Sequence, residues 1–168
     1  MKQLRFSQLV NLSLSMDIQF ISECNIQGLD IDILHALAET VLVEECTENN
    51  VRVTILLTGD EVLQELNLRF FGNDKPTDVL AFPDTFTEGE VEFPDFPEEI
   101  RLLGEVAISI PSAARKAILT KVSLLDEVSH LLTHGCLHLC GFDHENLGEA
   151  EDMQRKEENY LDNPRLHT

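Results

Sequence analysis

His134-Gly-Cys-Leu-His138-Leu-Cys-Gly141-Phe-Asp143-His144 is the stretch from which the rest of this chain is read. On an α-helix, residues i and i+4 stand one above the other. His134 and His138 therefore present two imidazoles from one face to a single metal ion. Gly141 falls where that helix should end, because glycine takes the left-handed conformation without a Cβ penalty, and the turn swings His144 toward the same point. Three neutral nitrogen donors leave a coordination position open. That is the pattern of a catalytic zinc rather than a closed structural one, and water bound there is acidified toward neutrality for hydrolysis. The expected cofactor is one divalent metal ion, Zn2+ before others, held by His134, His138 and His144 on a zincin-like helix.

His130 lies one turn before His134, and Glu127 one turn earlier still, so either can orient a ligand imidazole from behind. Asp143, beside the third histidine, is a candidate to orient a ring or accept a proton, with turn capping as its plainer role. Cys136 and Cys140 fall out of phase with the histidines and read as core thiols. With Cys24 and Cys46 they make four cysteines in a chain of ordinary domain length. That is not the disulfide framework of a small secreted protein, so all four are expected to be reduced.

Upstream, residues 16–22 alternate polar and apolar as a strand does, and residues 1–15 form an N-terminal extension. Ile33, Leu34, Leu37, Ala38, Val41 and Leu42 repeat at helical spacing after Asp30 or Asp32 as N-cap. The β-branched run 51–57 predicts a strand, and Val62, Leu63, Leu66 and Phe70 a helix after it. Residues 77–82 read as a short strand closed by Pro83, and 104–110 as another ended by Pro111, with Ser112 capping a helix to about Lys121. The histidine helix is expected from about Leu124 to Cys140, and a charged helix from about Gly148 to Leu161. The fold class is α+β: a single domain, residues 16–162, with a small mixed four-stranded sheet packed by about five helices, followed by a tail at 163–168. Between 84 and 99, acidic residues alternate with Phe and Pro without a period, which predicts a protruding acidic loop.

The 168 residues carry 12 Lys+Arg against 31 Asp+Glu, a net charge of −19. Such a field opposes broad binding to nucleic acid or anionic lipid, although it permits a locally positive site. No apolar run approaches the ~20 residues needed to span a bilayer, and the stretch after Arg5 is too polar for a signal-peptide core. No membrane association and a cytoplasmic location are therefore expected.

The spacing H-x-x-x-H-x-x-G-x-x-H is shared with the metzincin peptidases, but their general-base glutamate is replaced by Gly135. The whole segment HGCLHLCGFDH more closely resembles the signature of the YbeY family of bacterial endoribonucleases. KPTDVLAFP at Lys75 to Pro83 is similar to that family's second block, and GEVAIS at Gly104 to Ser109 to a third, in the same order. The resemblance implies a metal-dependent, single-strand-specific endoribonuclease acting in the maturation of ribosomal RNA, notably of the small subunit, and in ribosome quality control. It implies His134, His138 and His144 as the metal ligands. Single-stranded or ribosomal RNA would be the substrate, and ribosomal proteins candidate partners. Lys75, Thr77 and Arg115 are candidate substrate contacts, with Lys116 a further cation near the phosphate. Phe71 stands where the family usually has an arginine thought important for activity, and Arg69, two residues away, points about 200° around a helix. A metal-dependent hydrolase of another substrate, such as peptide, and a ribosome-associated binding module with a mainly structural metal are the alternatives.

Overall fold

The computed structural model describes residues 16–47, 50–84, 100–143 and 147–161. The extension at 1–15, all of the acidic loop except Asp84, His144, and the tail at 163–168 lie outside them. The order of elements is β1 (Met16–Ser22), α1 (Ile31–Glu45), β2 (Val51–Thr58), α2 (Asp60–Phe71), β3 (Val79–Pro83), β4 (Arg101–Ser109), α3 (Ile110–Thr120), α4 (Leu124–Leu139) and α5 (Leu147–Tyr160). The expected α+β class, with four strands in a mixed sheet and five helices, is what the described residues form. None of their helices is long and apolar enough to cross a membrane.

The sheet order is β1-β2-β4-β3. β1 and β4 both run parallel to β2, whereas β3 runs antiparallel to β4 at the edge. Strand alternation sorts β2 cleanly: Val51, Val53, Ile55 and Leu57 are buried, while Arg52, Thr54 and Leu56 are only half-buried. On the buried face Val53, Ile55 and Leu57 share one core with Leu34, Ala38, Val41 and Leu42 of α1 and with Val128, Leu131, Leu132 and Cys136 of α4. Each large apolar side chain so buried contributes about 1.5–3 kcal/mol relative to exposure, which makes α1 and α4 the firmly held helices.

Local chemistry sets the boundaries. Asp30, not Asp32, caps α1, its Oδ1 accepting from the amides of Asp32 (3.1 Å) and Ile33 (3.2 Å). Ser123 and Asp126 form a reciprocal capping box that starts α4. Ser109, rather than Ser112, caps α3, its Oγ accepting from the Ser112 amide at 3.2 Å. Pro111 accordingly sits inside the first turn, where its missing N–H costs nothing, instead of marking the strand's end. β3 starts at Val79, two residues later than the alternation predicts, and β4 starts at Arg101, three earlier than Gly104.

The expectation of four reduced cysteines is corrected. Cys46, at the end of α1, and Cys140, at the end of α4, are paired as a disulfide with Cα atoms 5.2 Å apart. Cys24 and Cys136 remain free. The pair is 94 residues apart in sequence, so no local pattern announces it; it forms because α1 and α4 lie side by side over the same sheet face.

Candidate metal centre

α4 lies flat on the sheet, and one residue explains how closely. A Cβ built on Gly135 would fall 2.5 Å from Cγ1 of Val106 in β4, inside van der Waals contact. Glycine lets the helix backbone settle against the strand, with position 135 turned to the sheet and His134 and His138 half-exposed on another side. A glutamate at 135, as in the peptidase spacing, would be driven into Val106 rather than toward the imidazoles. Position 135 therefore carries no proton-transfer group of the kind the peptidase spacing places there.

The two imidazoles meet. Nε2 of His134 and Nε2 of His138 are 3.1 Å apart, with ring centroids 4.6 Å apart and an edge-on arrangement. On the far side of the His134 ring, Nδ1 is 2.6 Å from Oε1 of Glu157. A carboxylate at that distance accepts a hydrogen bond from Nδ1–H, and in the neutral form of that tautomer the His134 lone pair would lie on Nε2, on the side of His138. Two Nε2 lone pairs converging at this separation need a proton or a cation between them. Two ligands of a tetrahedral zinc, each about 2.0–2.1 Å from the ion, would stand ~3.3 Å apart, so the donor pair fits a divalent metal. Gly141, with φ +91°, makes the left-handed turn expected at the helix end and leads the chain toward His144, which lies outside the described residues. Among the described residues the converging donors are therefore these two histidines.

Glu157 was not singled out by sequence reasoning. It belongs to α5, which the sequence shows only as a charged helix, yet it is one of two buried residues of that helix and only 4% exposed. The signal existed: Met153 is four residues before it, so the two share one face of α5, and they are that helix's buried residues. Met153 is buried in the core and Tyr160 packs partly against it, and polar contacts complete the seating of α5. Lys156 Nζ lies 2.7 Å from Glu45 Oε2, and the single Tyr160 hydroxyl proton is shared between Glu45 Oε1 (2.6 Å) and Glu44 Oε2 (2.9 Å), both residues on α1. Burial would raise the Glu45 carboxyl, but hydrogen bonds from Lys156 and Tyr160 outweigh it and hold the group below its ordinary value. The Tyr160 hydroxyl is pushed up by burial and by the same two carboxylates.

The other sequence candidates are dispersed. Glu127 is fully buried with Lys116 Nζ 3.4 Å away, and His130 is 6% exposed in the packed face of α4. Lys116 also reaches Asp78 at 3.2 Å, connecting the chain beside Thr77 to α4. Arg115 is drawn to the start of α2, where its guanidinium lies 2.9 Å from Asp60. That pairing and a hydrogen bond from Ser109 hold the Asp60 carboxyl below its usual range. Lys75 is exposed between α2 and β3, its carbonyl accepting from Asn67, and the Thr77 hydroxyl donates to the Val79 carbonyl. Asp143 is exposed in the turn after α4, beside a hollow lined by Phe142, Glu149, Asp152, Arg155 and Lys156. Cys136 is buried, and burial pushes its thiol up to about 12. α2 continues through Phe71 before Gly72 ends it, so Arg69 remains on a helix and does not take Phe71's place. Phe71 instead packs on Phe82 (centroids 5.7 Å apart), with Phe70 beside it.

Fold and site together define a small α+β protein organised around a histidine-bearing helix laid on a mixed sheet. The family model for Endoribonuclease YbeY matches residues 9–165, and the chain belongs to that family, a family of hydrolases. It is 44% identical over 104 residues to the Endoribonuclease YbeY of a Sulfurihydrogenibium species, covering 62% of this chain and 63% of that relative. To the Aquifex aeolicus protein of the same name it is 43% identical over 113 residues (67% and 69%). To that of Bradyrhizobium diazoefficiens it is 35% identical over 147 residues (86% and 79%). The solution structure of TM1509 from Thermotoga maritima superposes with a TM-score of 0.57 at 28% identity, covering 85% of each chain.

Proposed function

We propose that this chain is a metal-dependent endoribonuclease that hydrolyses phosphodiester bonds of single-stranded RNA in the maturation of ribosomal RNA. The observation that carries the reading is the 3.1 Å convergence of the His134 and His138 Nε2 atoms on a family member's most distinctive motif. These two histidines would hold one divalent ion, with His144 as the third ligand that the motif supplies. When bound, the ion supplies Lewis acidity toward a phosphoryl oxygen and an acidified water. Three neutral imidazoles suit zinc, with nickel, cobalt and copper as competitors decided by availability.

The chain's own residues supply the setting. With Nδ1–H donating to Glu157, His134 would present Nε2 to the shared point. Lys75, exposed on the α2–β3 connection, offers charge to a phosphate, whereas Arg115 is engaged by Asp60. With a net charge of −19, affinity for RNA in general is weak, and a ribosomal protein partner is the expected source of additional binding.

The test is cleavage of end-labelled single-stranded RNA by the zinc-loaded full chain, with and without chelator, alongside His138→Ala. Cleavage abolished by both supports the reading. Zinc-loaded, folded protein inert on single-stranded and ribosomal RNA, or cleavage that survives His138→Ala, overturns it.

A further inference from the structure

We infer that Glu157 is the positioning residue of this site: it fixes the tautomer and orientation of His134, and α5 serves to deliver it. The inference rests on the metal reading above and adds to it a group outside the histidine motif, on another helix.

Three observations converge. Glu157 Oε1 approaches His134 Nδ1 at 2.6 Å, on the side of the ring away from His138, so accepting that proton leaves Nε2 as the donor atom of the pair. The carboxylate is 4% exposed on a helix with mean hydropathy far on the polar side, and desolvating a charge at such a place is unfavourable unless a partner compensates. Finally, α5 is seated so that Glu157 faces α4. The side chains of Lys156 and Tyr160 clasp Glu44 and Glu45 of α1, and Lys156 Nζ also lies 4.7 Å over the Phe142 ring, next to the turn that leads to His144. A carboxylate on the far nitrogen of a metal-bound imidazole sets its ring plane and raises its basicity, and losing such a partner typically weakens metal binding by about 10–100-fold.

The experiment uses the full chain and zinc alone. Zinc affinity is measured by competition with a chromophoric chelator for the native protein, Glu157→Gln, Glu157→Asp, Glu157→Ala and His138→Ala. The His134 tautomer is read in the metal-free proteins from long-range 15N–1H NMR correlations. The expected result is about 10–100-fold weaker zinc binding for Glu157→Gln, at least as large a loss for Glu157→Ala, and partial recovery in Glu157→Asp. His134 should be the Nδ1–H form in the native chain and a tautomer mixture in Glu157→Ala. Thermal melting followed by circular dichroism identifies any variant that fails to fold, and the isosteric Gln variant then carries the comparison. Equal zinc affinity in native and Gln proteins, or an unchanged tautomer in every Glu157 variant, overturns the positioning role while leaving the metal reading intact. Zinc binding that is absent from the native chain, or unaffected by His138→Ala, overturns both.

Discussion

Gly135 of α4 and Val106 of β4 are so closely apposed that a single added methyl would lie 2.5 Å from the valine Cγ1. Two effects of Gly135→Ala therefore oppose one another. Helix propensity favours alanine by about 1 kcal/mol, but overpacking a core costs about 1–3 kcal/mol, and Val106 is a fully buried β-branched side chain with little room to yield. We expect a net loss of up to about 2 kcal/mol in urea unfolding, the overpacking cost less the gain in propensity. A more stable alanine variant would mean that α4 lifts from the sheet.

Reducing the Cys46–Cys140 link should lower stability. It closes a loop spanning 94 residues, for which chain entropy alone gives about 4–5 kcal/mol as an upper figure. Thiol titration of the unfolded, unreduced protein should find two groups, Cys24 and Cys136, rather than four. Cys46→Ser should reproduce the fall in melting temperature caused by reductant.

Stability should fall at both ends of the pH scale. The Asp60 and Glu45 carboxyls titrate lower folded than unfolded, so their contribution is complete above the ordinary carboxylate value of about 4 and disappears as pH falls through the lowered values. Tyr160 is raised by burial and its two carboxylates; its contribution is complete below about pH 10 and is lost as pH rises beyond that. Tyr160→Phe should shrink the alkaline limb of a melting-temperature profile to the part left by the buried Cys136 thiol, and should weaken the Glu45 share of the acid limb while leaving that of Asp60. An unchanged alkaline limb would dissociate Tyr160 from the seating of α5.

Phe71 is 57% exposed, so Phe71→Arg meets no packing obstacle beyond loss of its ring contact with Phe82. The stability cost should stay below about 1 kcal/mol, the scale of one exposed aromatic pair. Because arginine is the residue expected there, single-strand RNA cleavage should rise several-fold. An unaltered rate would show that this chain does not use the position for phosphate.

Periodicity located nearly every element, because one apolar face per helix or strand is a local property of the chain. Its errors fell where a residue had two roles. Pro111 reads as a terminator, yet a proline is equally at home in a first helical turn, and only the hydrogen bond at Ser109 distinguishes the two. Gly104 reads as a strand start, but β4 begins at Arg101 and the glycine sits beside a register shift against β2, where a Cβ would strike the Phe82 carbonyl oxygen and Leu139.

The sequence by itself determined the pairing of His134 with His138 and the reversal at Gly141, since spacing on a helix and glycine's conformational freedom need nothing beyond the segment. It likewise determined the α+β class and the family. Tertiary structure alone decided that position 135 faces β4, that Cys46 meets Cys140, that Arg115 goes to Asp60, and that Glu157, from a helix read only as charged, closes on His134. The reason is physical: a local pattern states which face of an element is buried, whereas the partner on that face is chosen by how distant elements stack on the sheet.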